Sequence, residues 1–298
     1  MKALVYGSLN IDYVYQVPHF VQRGETLASD SLRRFSGGKG LNQAVALSRA
    51  GVETWMAGAV GEDGAFLLEE LRCAGVDTRY VQETPIPTGH AIIQNTPDGD
   101  NCILLYGGAN RSVTAEQTAA VIEAFSPGDL LLVQNEISSL LPILRLGKER
   151  GMHVALNPSP MEAERIRAVL PYTDTLLLNR IEAVQLLDHE DEAEALLRLL
   201  RDRFGCAEIV LTLGGEGALL LREGRILRQA AFPVKALDTT GAGDTFTGYY
   251  LAGLLQWEDA ASALRCAAAA AALAITRKGA SPSIPGREET LAFLERQA

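Results

Sequence analysis

Cysteine is scarce: Cys73, Cys102, Cys206 and Cys266 stand far apart in 298 residues, with no Cys-x-x-Cys pair and no ligand-like spacing to the four histidines. That excludes a recognisable zinc or dithiol motif and predicts reduced, mostly buried thiols. A Lys/Arg cluster is missing too. With 27 basic residues against 37 acidic ones the formal charge is −10, which argues against a nucleic-acid partner. No polar-free stretch reaches the roughly 20 residues of a membrane helix, and the Ala-rich run Cys266–Ile275 is about half that length. The opening Met1-Lys2-Ala3-Leu4-Val5-Tyr6-Gly7 carries one basic residue and too short an apolar run for a signal peptide. A cytoplasmic protein without a membrane partner is expected. Low-complexity linkers are also absent, so a 47% hydrophobic chain reads as one α/β body over residues 1–298 with an appendage.

Two nucleotide signatures are lacking. There is no Gly-x-x-x-x-Gly-Lys-[Ser/Thr] loop, and no Gly-x-Gly-x-x-Gly follows the first apolar run. What is there instead is a series of short apolar runs ending in small or polar residues. Leu4–Tyr6, Trp55–Val60, Leu130–Val133, Val154–Leu156, Leu176–Leu178 and Ile209–Leu211 read as strands buried on both faces of a parallel sheet. Helix-period segments at Gly40–Ala50, Phe66–Ala74, Ala115–Phe125, Ile137–Arg150 and Glu190–Phe204 lie between them. The alternation predicts a doubly wound, mostly parallel sheet with helices on both faces. Ligands of such sheets bind beyond the carboxyl ends of the strands, which makes Asn10, Glu136, Asn157, Asn179 and Thr212 candidates to line one cleft.

Asp12–Phe35 and Thr88–Gly108 break the alternation with turn-bounded patterns such as His90–Ile93 and Cys102–Tyr106, and Asp98-Gly99 gives a hairpin signal. Both segments are read as antiparallel strands of a small β lid, residues 12–35 and 88–108, whose apolar face suits a homodimer.

The most informative stretch is Asp238-Thr239-Thr240-Gly241-Ala242-Gly243-Asp244-Thr245-Phe246, two carboxylates around a small-residue turn before an apolar run. Gly241, Ala242 and Gly243 let backbone N–H groups converge where a helix aims its positive end, which makes an anion pocket. Asp244 would repel a phosphate, but it suits a base that takes a proton from an attacking hydroxyl. Helix capping by Asp238 or Asp244 is the competing explanation. Gly37-Gly38-Lys39-Gly40-Leu41-Asn42-Gln43-Ala44 opens a second helix, offering close backbone approach, a cation and an amide; a plain strand-to-helix turn would also explain its glycines. Asn10 and Asp12, two apart, suit the adjacent hydroxyls of a polyol, or simply a polar loop. Asn179 and Glu182, three apart after a strand, face one way toward a phosphate-bound Mg²⁺, or form a capping box.

Together, Gly38-Lys39-Gly40-x-Asn42-Gln43 and Asp238-Thr-x-Gly-Ala-Gly-Asp244-Thr-Phe resemble the two signature regions of the ribokinase-like, phosphofructokinase-B type family of carbohydrate kinases, over essentially the whole chain. Thr276–Pro285 is similar to the ribokinase branch. The resemblance implies ATP-dependent phosphorylation of the terminal hydroxyl of a small sugar, D-ribose to D-ribose 5-phosphate. Deoxyribose, fructose, a keto-sugar acid or a nucleoside are the alternative acceptors, and a non-catalytic sugar-binding regulator is the alternative of another class. By position it implies Asp244 as the base and the N–H groups of Gly241, Ala242 and Gly243 as the anion hole. Asn10, Asp12, Gly38, Lys39, Asn42 and Glu136 would contact the sugar. Asn179, Thr212, Gly214, Gly215, Gly217 and Gly243 would hold the nucleotide, with Glu182 serving Mg²⁺ through water. Asp238, Thr240, Ala274, Arg277, Gly279 and Ser283 would hold K⁺, several by main-chain carbonyls. Asn135 departs from the family's pattern beside the expected sugar site.

Overall fold

The computed structural model describes residues 1–98, 100–257 and 259–297. In chain order the strands are β1 (Ala3–Tyr6), β2 (Asn10–Gln16), β3 (Ser31–Gly37), β4 (Thr54–Gly61), β5 (Asp77–Thr84), β6 (Gly89–Asn95), β7 (Asn101–Tyr106), β8 (Leu130–Gln134), β9 (His153–Asn157), β10 (Thr175–Asn179), β11 (Glu208–Thr212), β12 (Ala218–Arg222) and β13 (Arg225–Gln229). The helices are α1 (Lys39–Arg49), α2 (Ala65–Cys73), α3 (Ala115–Glu123), α4 (Leu140–Glu149), α5 (Ala163–Arg167), α6 (Arg180–Leu187), α7 (Ala193–Phe204), α8 (Ala242–Trp257), α9 (Ala260–Ala274) and α10 (Arg287–Glu295).

Every apolar run expected to be a strand forms one, because Leu, Val and Ile at consecutive positions must be covered on both faces. They build a nine-stranded sheet in the order β13-β12-β11-β10-β9-β8-β1-β4-β5. Pairing is parallel from β5 to β11, and β12 and β13 add an antiparallel ribbon at one edge. One apolar core holds Leu41, Val45, Leu67, Tyr249, Tyr250 and Leu264 beneath α1, α2, α8 and α9. The other holds Ile122, Ile143, Leu186, Leu196 and Leu200 beneath α3, α4, α6 and α7. Strand order runs outward in both directions from the β1–β8 pair, so the two connections part there and leave the crevice where doubly wound sheets bind ligands.

A second sheet, ordered β3-β2-β6-β7, is the lid. Its β2–β3 and β6–β7 pairs are antiparallel as expected, but β2 and β6 join the two hairpins in parallel register, Asp12 opposite Ala91. Both strands continue from strands that run parallel in the large sheet, β2 from β1 and β6 from β5. Gly99 of the expected Asp98-Gly99 turn lies outside the described residues. Ile103, Leu104, Leu105 and Tyr106 of β7 are at least half exposed. The thiols divide differently from expectation: Cys206 and Cys266 are buried, whereas Cys73 and Cys102 are exposed, the latter on the lid's edge strand where no element covers it. Among the described residues no helix is long and apolar enough to cross a membrane.

Candidate active site

Two signature stretches far apart in the chain meet at the crevice. Gly241, at φ 75°, turns the chain into α8, and Asp244 falls in its first turn, where a carboxylate is favoured by the helix dipole. Asp244 does not cap the helix. Its Oδ2 accepts from Asn42 Nδ2 at 2.9 Å and its Oδ1 from Gln43 Nε2 at 2.8 Å, both on α1. Asp238 is no helix cap either: it accepts from the N–H groups of Thr240 and Gly279, each at 2.9 Å. Of the three expected anion-hole donors, Ala242 N–H is turned back onto Thr239 O at 3.2 Å. The N–H groups of Gly241 and Gly243 have no such partner among the described residues, and both glycines line the cavity in front of Asp244.

That cavity, of about 130 Å³, is lined by Lys39, Asn157, Ser159, Asn179, Glu182, Thr212, Gly241, Gly243, Asp244 and Thr247 among others. Three of the five strand-end polar residues therefore line it as expected; Asn10 and Glu136 lie toward the lid side. Lys39 is half-buried beside three carboxylates. Desolvation works against its charge, but Asp244, Glu136 and Glu182 together outweigh that and hold its pKa above the ordinary lysine value. Asn179 and Glu182 do form a capping box, Glu182 N–H donating to Asn179 Oδ1 and Asn179 N–H to Glu182 Oε2, each at 2.9 Å. The capping box does not remove Glu182 from the cavity, since the residue is buried yet lines the space that Lys39 also lines.

On the lid side, Glu136 accepts from Ser8 Oγ and from Lys39 N–H, the latter at 3.1 Å. Asp12, on β2, is pushed up to about 7, first by burial and then by the negative charge of Glu136. Asn10 is fixed by a residue that the motifs do not contain: Asn110 Nδ2 donates to Asn10 Oδ1 at 2.7 Å, while Asn110 Oδ1 accepts from Leu9 N–H at 3.0 Å. Asn42 Oδ1 is buried without a partner, an acceptor left open beside Asp244. Asn135 donates its amide to Pro160 O at 2.7 Å and lines neither the cavity in front of Asp244 nor the larger one beside it.

A larger, mostly apolar cavity of about 560 Å³ adjoins, and Thr212 and Gly243 line both. Gly214, Gly215 and Gly217 form one wall, and Phe232, Val234, Phe246, Ala268, Ala271, Ala272 and Ile275 form the apolar slot. The positions expected to hold K⁺ come together only in part. Asp238 binds Gly279 and Thr240, and Leu237 N–H reaches Ile275 O at 2.7 Å. Arg277 pairs with Glu289, Arg277 N–H takes Ala274 O at 3.1 Å, and Ser283 turns its hydroxyl to Ala280 O at 2.8 Å. Ser8, Gln43, Asn110 and Gln134 do not stand out as site residues in the sequence: Gln43 lies inside a motif, Ser8 and Gln134 lie at strand ends, and nothing local marks Asn110.

The family model for pfkB family carbohydrate kinases matches residues 1–287. The chain is 36% identical over 302 residues to the ribokinase of Haemophilus influenzae, covering 98% of this chain and 97% of that one. It is 31% identical over 303 residues to the deoxyribokinase of Salmonella typhi, covering 99% of each. Among solved structures, Arabidopsis thaliana ribokinase complexed with ribose and ATP superposes with a TM-score of 0.89 at 30% identity, over 99% of this chain and 98% of that one.

Proposed function

This chain belongs to the pfkB family of carbohydrate kinases, and on that premise we propose that it transfers the terminal phosphoryl group of ATP to the 5-hydroxyl of D-ribose. One observation carries the proposal: Asp244, held by Asn42 of α1, lines a small cavity together with Gly241 and Gly243, whose N–H groups are free among the described residues, and that cavity opens beside an apolar, base-sized slot. Asp12, Asn10, Asn42 and Glu136 take the sugar hydroxyls, Gly38 lets the backbone approach them, and the slot beneath Ala268 takes the adenine. Asp244 accepts the proton of the attacking hydroxyl as its oxygen bonds to the γ-phosphorus and ADP leaves. The N–H groups of Gly241 and Gly243, the start of α8 and the ammonium of Lys39 stabilise the charge on the transferring group, which is most of what phosphoryl transfer asks of a protein. Asn179, Gly214, Gly215 and Gly217 hold the phosphates and the nucleotide loop.

The oxygen-rich wall formed by Glu182 and the buried, unpartnered Asn157 Oδ1 suits a hard cation, so these residues would hold Mg²⁺ through its waters, where it neutralises phosphate charge. Asp238, which draws in the turns at Thr240 and Gly279, would hold the neighbouring K⁺ together with Ala274, Arg277 and Ser283, and Ser281 Oγ, two residues before Ser283, is buried and unpartnered. A homodimer joined through the exposed face of β7, working in the cytoplasm, belongs to the same reading.

A coupled ADP-release assay with ribose, deoxyribose, fructose and a nucleoside, with and without K⁺, tests it. Ribose should give the highest kcat/KM. A nucleoside or deoxyribose outrunning ribose would move the substrate, and ADP release with none of them would remove the activity.

A further inference from the structure

Behind Asp244 lies a chain of amides that the reaction as described does not use. Gln43 Nε2 donates to Asp244 Oδ1 at 2.8 Å, and Gln134 Nε2 donates to Gln43 Oε1 at 2.7 Å. Both glutamines have 0% exposure. Gln134 is the last residue of β8, opposite Asn157 of β9, and its amide oxygen rests against Gly7, just past β1. A Cβ at Gly7 would collide with that oxygen and would stand 2.7 Å from Gly40 Cα. The amide chain thus fills the crevice where β1 and β8 part.

Its direction is fixed by charge. An ionised carboxylate only accepts hydrogen bonds, so Gln43 must present its NH₂ to Asp244 and its oxygen to Gln134. Gln134 must then present its NH₂ in turn, which leaves Gln134 Oε1 buried without a partner. An unpaired buried acceptor is costly, and a leucine or methionine would fill the same space without it. We propose that Gln43 and Gln134 are positioning residues for phosphoryl transfer: Gln134 sets the direction of the Gln43 amide, and Gln43 keeps the Asp244 carboxylate aimed at the sugar hydroxyl. The proposal rests on Asp244 being the base. Without Gln134, the Gln43 amide is free to turn its oxygen toward Asp244, whose Oδ1 then loses the donor that fixes it.

The test is steady-state kinetics across pH on Gln134→Met and Gln134→Glu, beside Asp244→Asn, with folding checked by thermal melting. Gln134→Met should lower kcat roughly 10-fold, the scale of one hydrogen bond to a charged group. KM for ribose and ATP should stay within about twofold of wild type, since neither ligand touches Gln134. Gln134→Glu is nearly isosteric and keeps the proposal open to refutation if the methionine variant does not fold. While protonated, its carboxyl donates to Gln43 as the amide did, so kcat should approach wild type at low pH; once ionised it reverses Gln43, so kcat should fall as pH rises, a limb the wild type lacks. A merely structural role would lower the melting temperature and leave both profiles in place. Wild-type kcat and pH profile in both variants, with Asp244→Asn inactive, would overturn the relay alone. Near-normal kcat in Asp244→Asn would overturn the base assignment and the relay with it.

Discussion

Lowering the pH from 8 to 6 should weaken ribose binding about tenfold, because of one side chain. Asp12 lies on strand β2 of the smaller sheet with its carboxyl pushed up to about 7 by burial and by Glu136, and the proposed function gives it to the sugar hydroxyls as an acceptor. The ionised fraction is roughly nine-tenths at pH 8 and roughly one-tenth at pH 6 if the pKa is about 7, which sets the tenfold ratio. Titration calorimetry in two buffers of different ionisation enthalpy reads both the dissociation constant and the proton released when ribose binds near neutral pH. Glu136→Gln removes the second cause and should carry the midpoint downward. Asp12→Asn should bind weakly at every pH with the dependence gone. The sign for stability follows from the same shift: the folded protein holds this proton more tightly than the unfolded chain, so stability falls as pH rises from the ordinary 3.8 toward about 7. Affinity for ribose that stays flat from pH 6 to 8, or a pH dependence that survives in Asp12→Asn, would refute the reasoning.

Three further outcomes are expected. Asp244→Asn should lower kcat by roughly 10²–10⁴-fold while ribose and an ATP analogue still raise the melting temperature. K⁺ should raise kcat more than it changes KM for ribose, Na⁺ should replace it poorly, and Asp238→Ala, which releases the Thr240 and Gly279 N–H groups, should abolish the response in an ADP-release assay. Ala268→Phe projects a ring into the apolar slot and should raise KM for ATP with ribose binding unchanged, as read by calorimetry.

The central strands were legible in sequence because burial on both faces demands unbroken apolar runs such as Leu130–Val133. The edges were not. β5 reads Asp-Thr-Arg-Tyr-Val-Gln-Glu-Thr, and β13 reads Arg-Ile-Leu-Arg-Gln with mixed exposure, so neither shows such a run. The turn between β12 and β13 is made by Glu223 and Gly224, both at positive φ, and Glu is not a residue that announces such a turn. At the site, Asp244 and Asn42 stood out because each belongs to a compact motif. Their bond spans 202 positions, and the Gln134–Gln43 bond 91; partners at that separation are set by the β1–β8 crevice and leave no local pattern. Asn110 escaped notice for the same reason, since its three bonds to Leu9 and Asn10 span 100 or 101 positions.

Proton-coupled phosphorus NMR of the purified product reads directly whether this chain places phosphate on the 5-oxygen of ribose. Phosphorus on the primary carbon couples to two protons, so the account predicts a triplet from a single monophosphate that forms with ATP and ribose and is absent with Asp244→Asn. A doublet, which marks phosphate on a carbon bearing one proton, or no ribose phosphate at all, would contradict it.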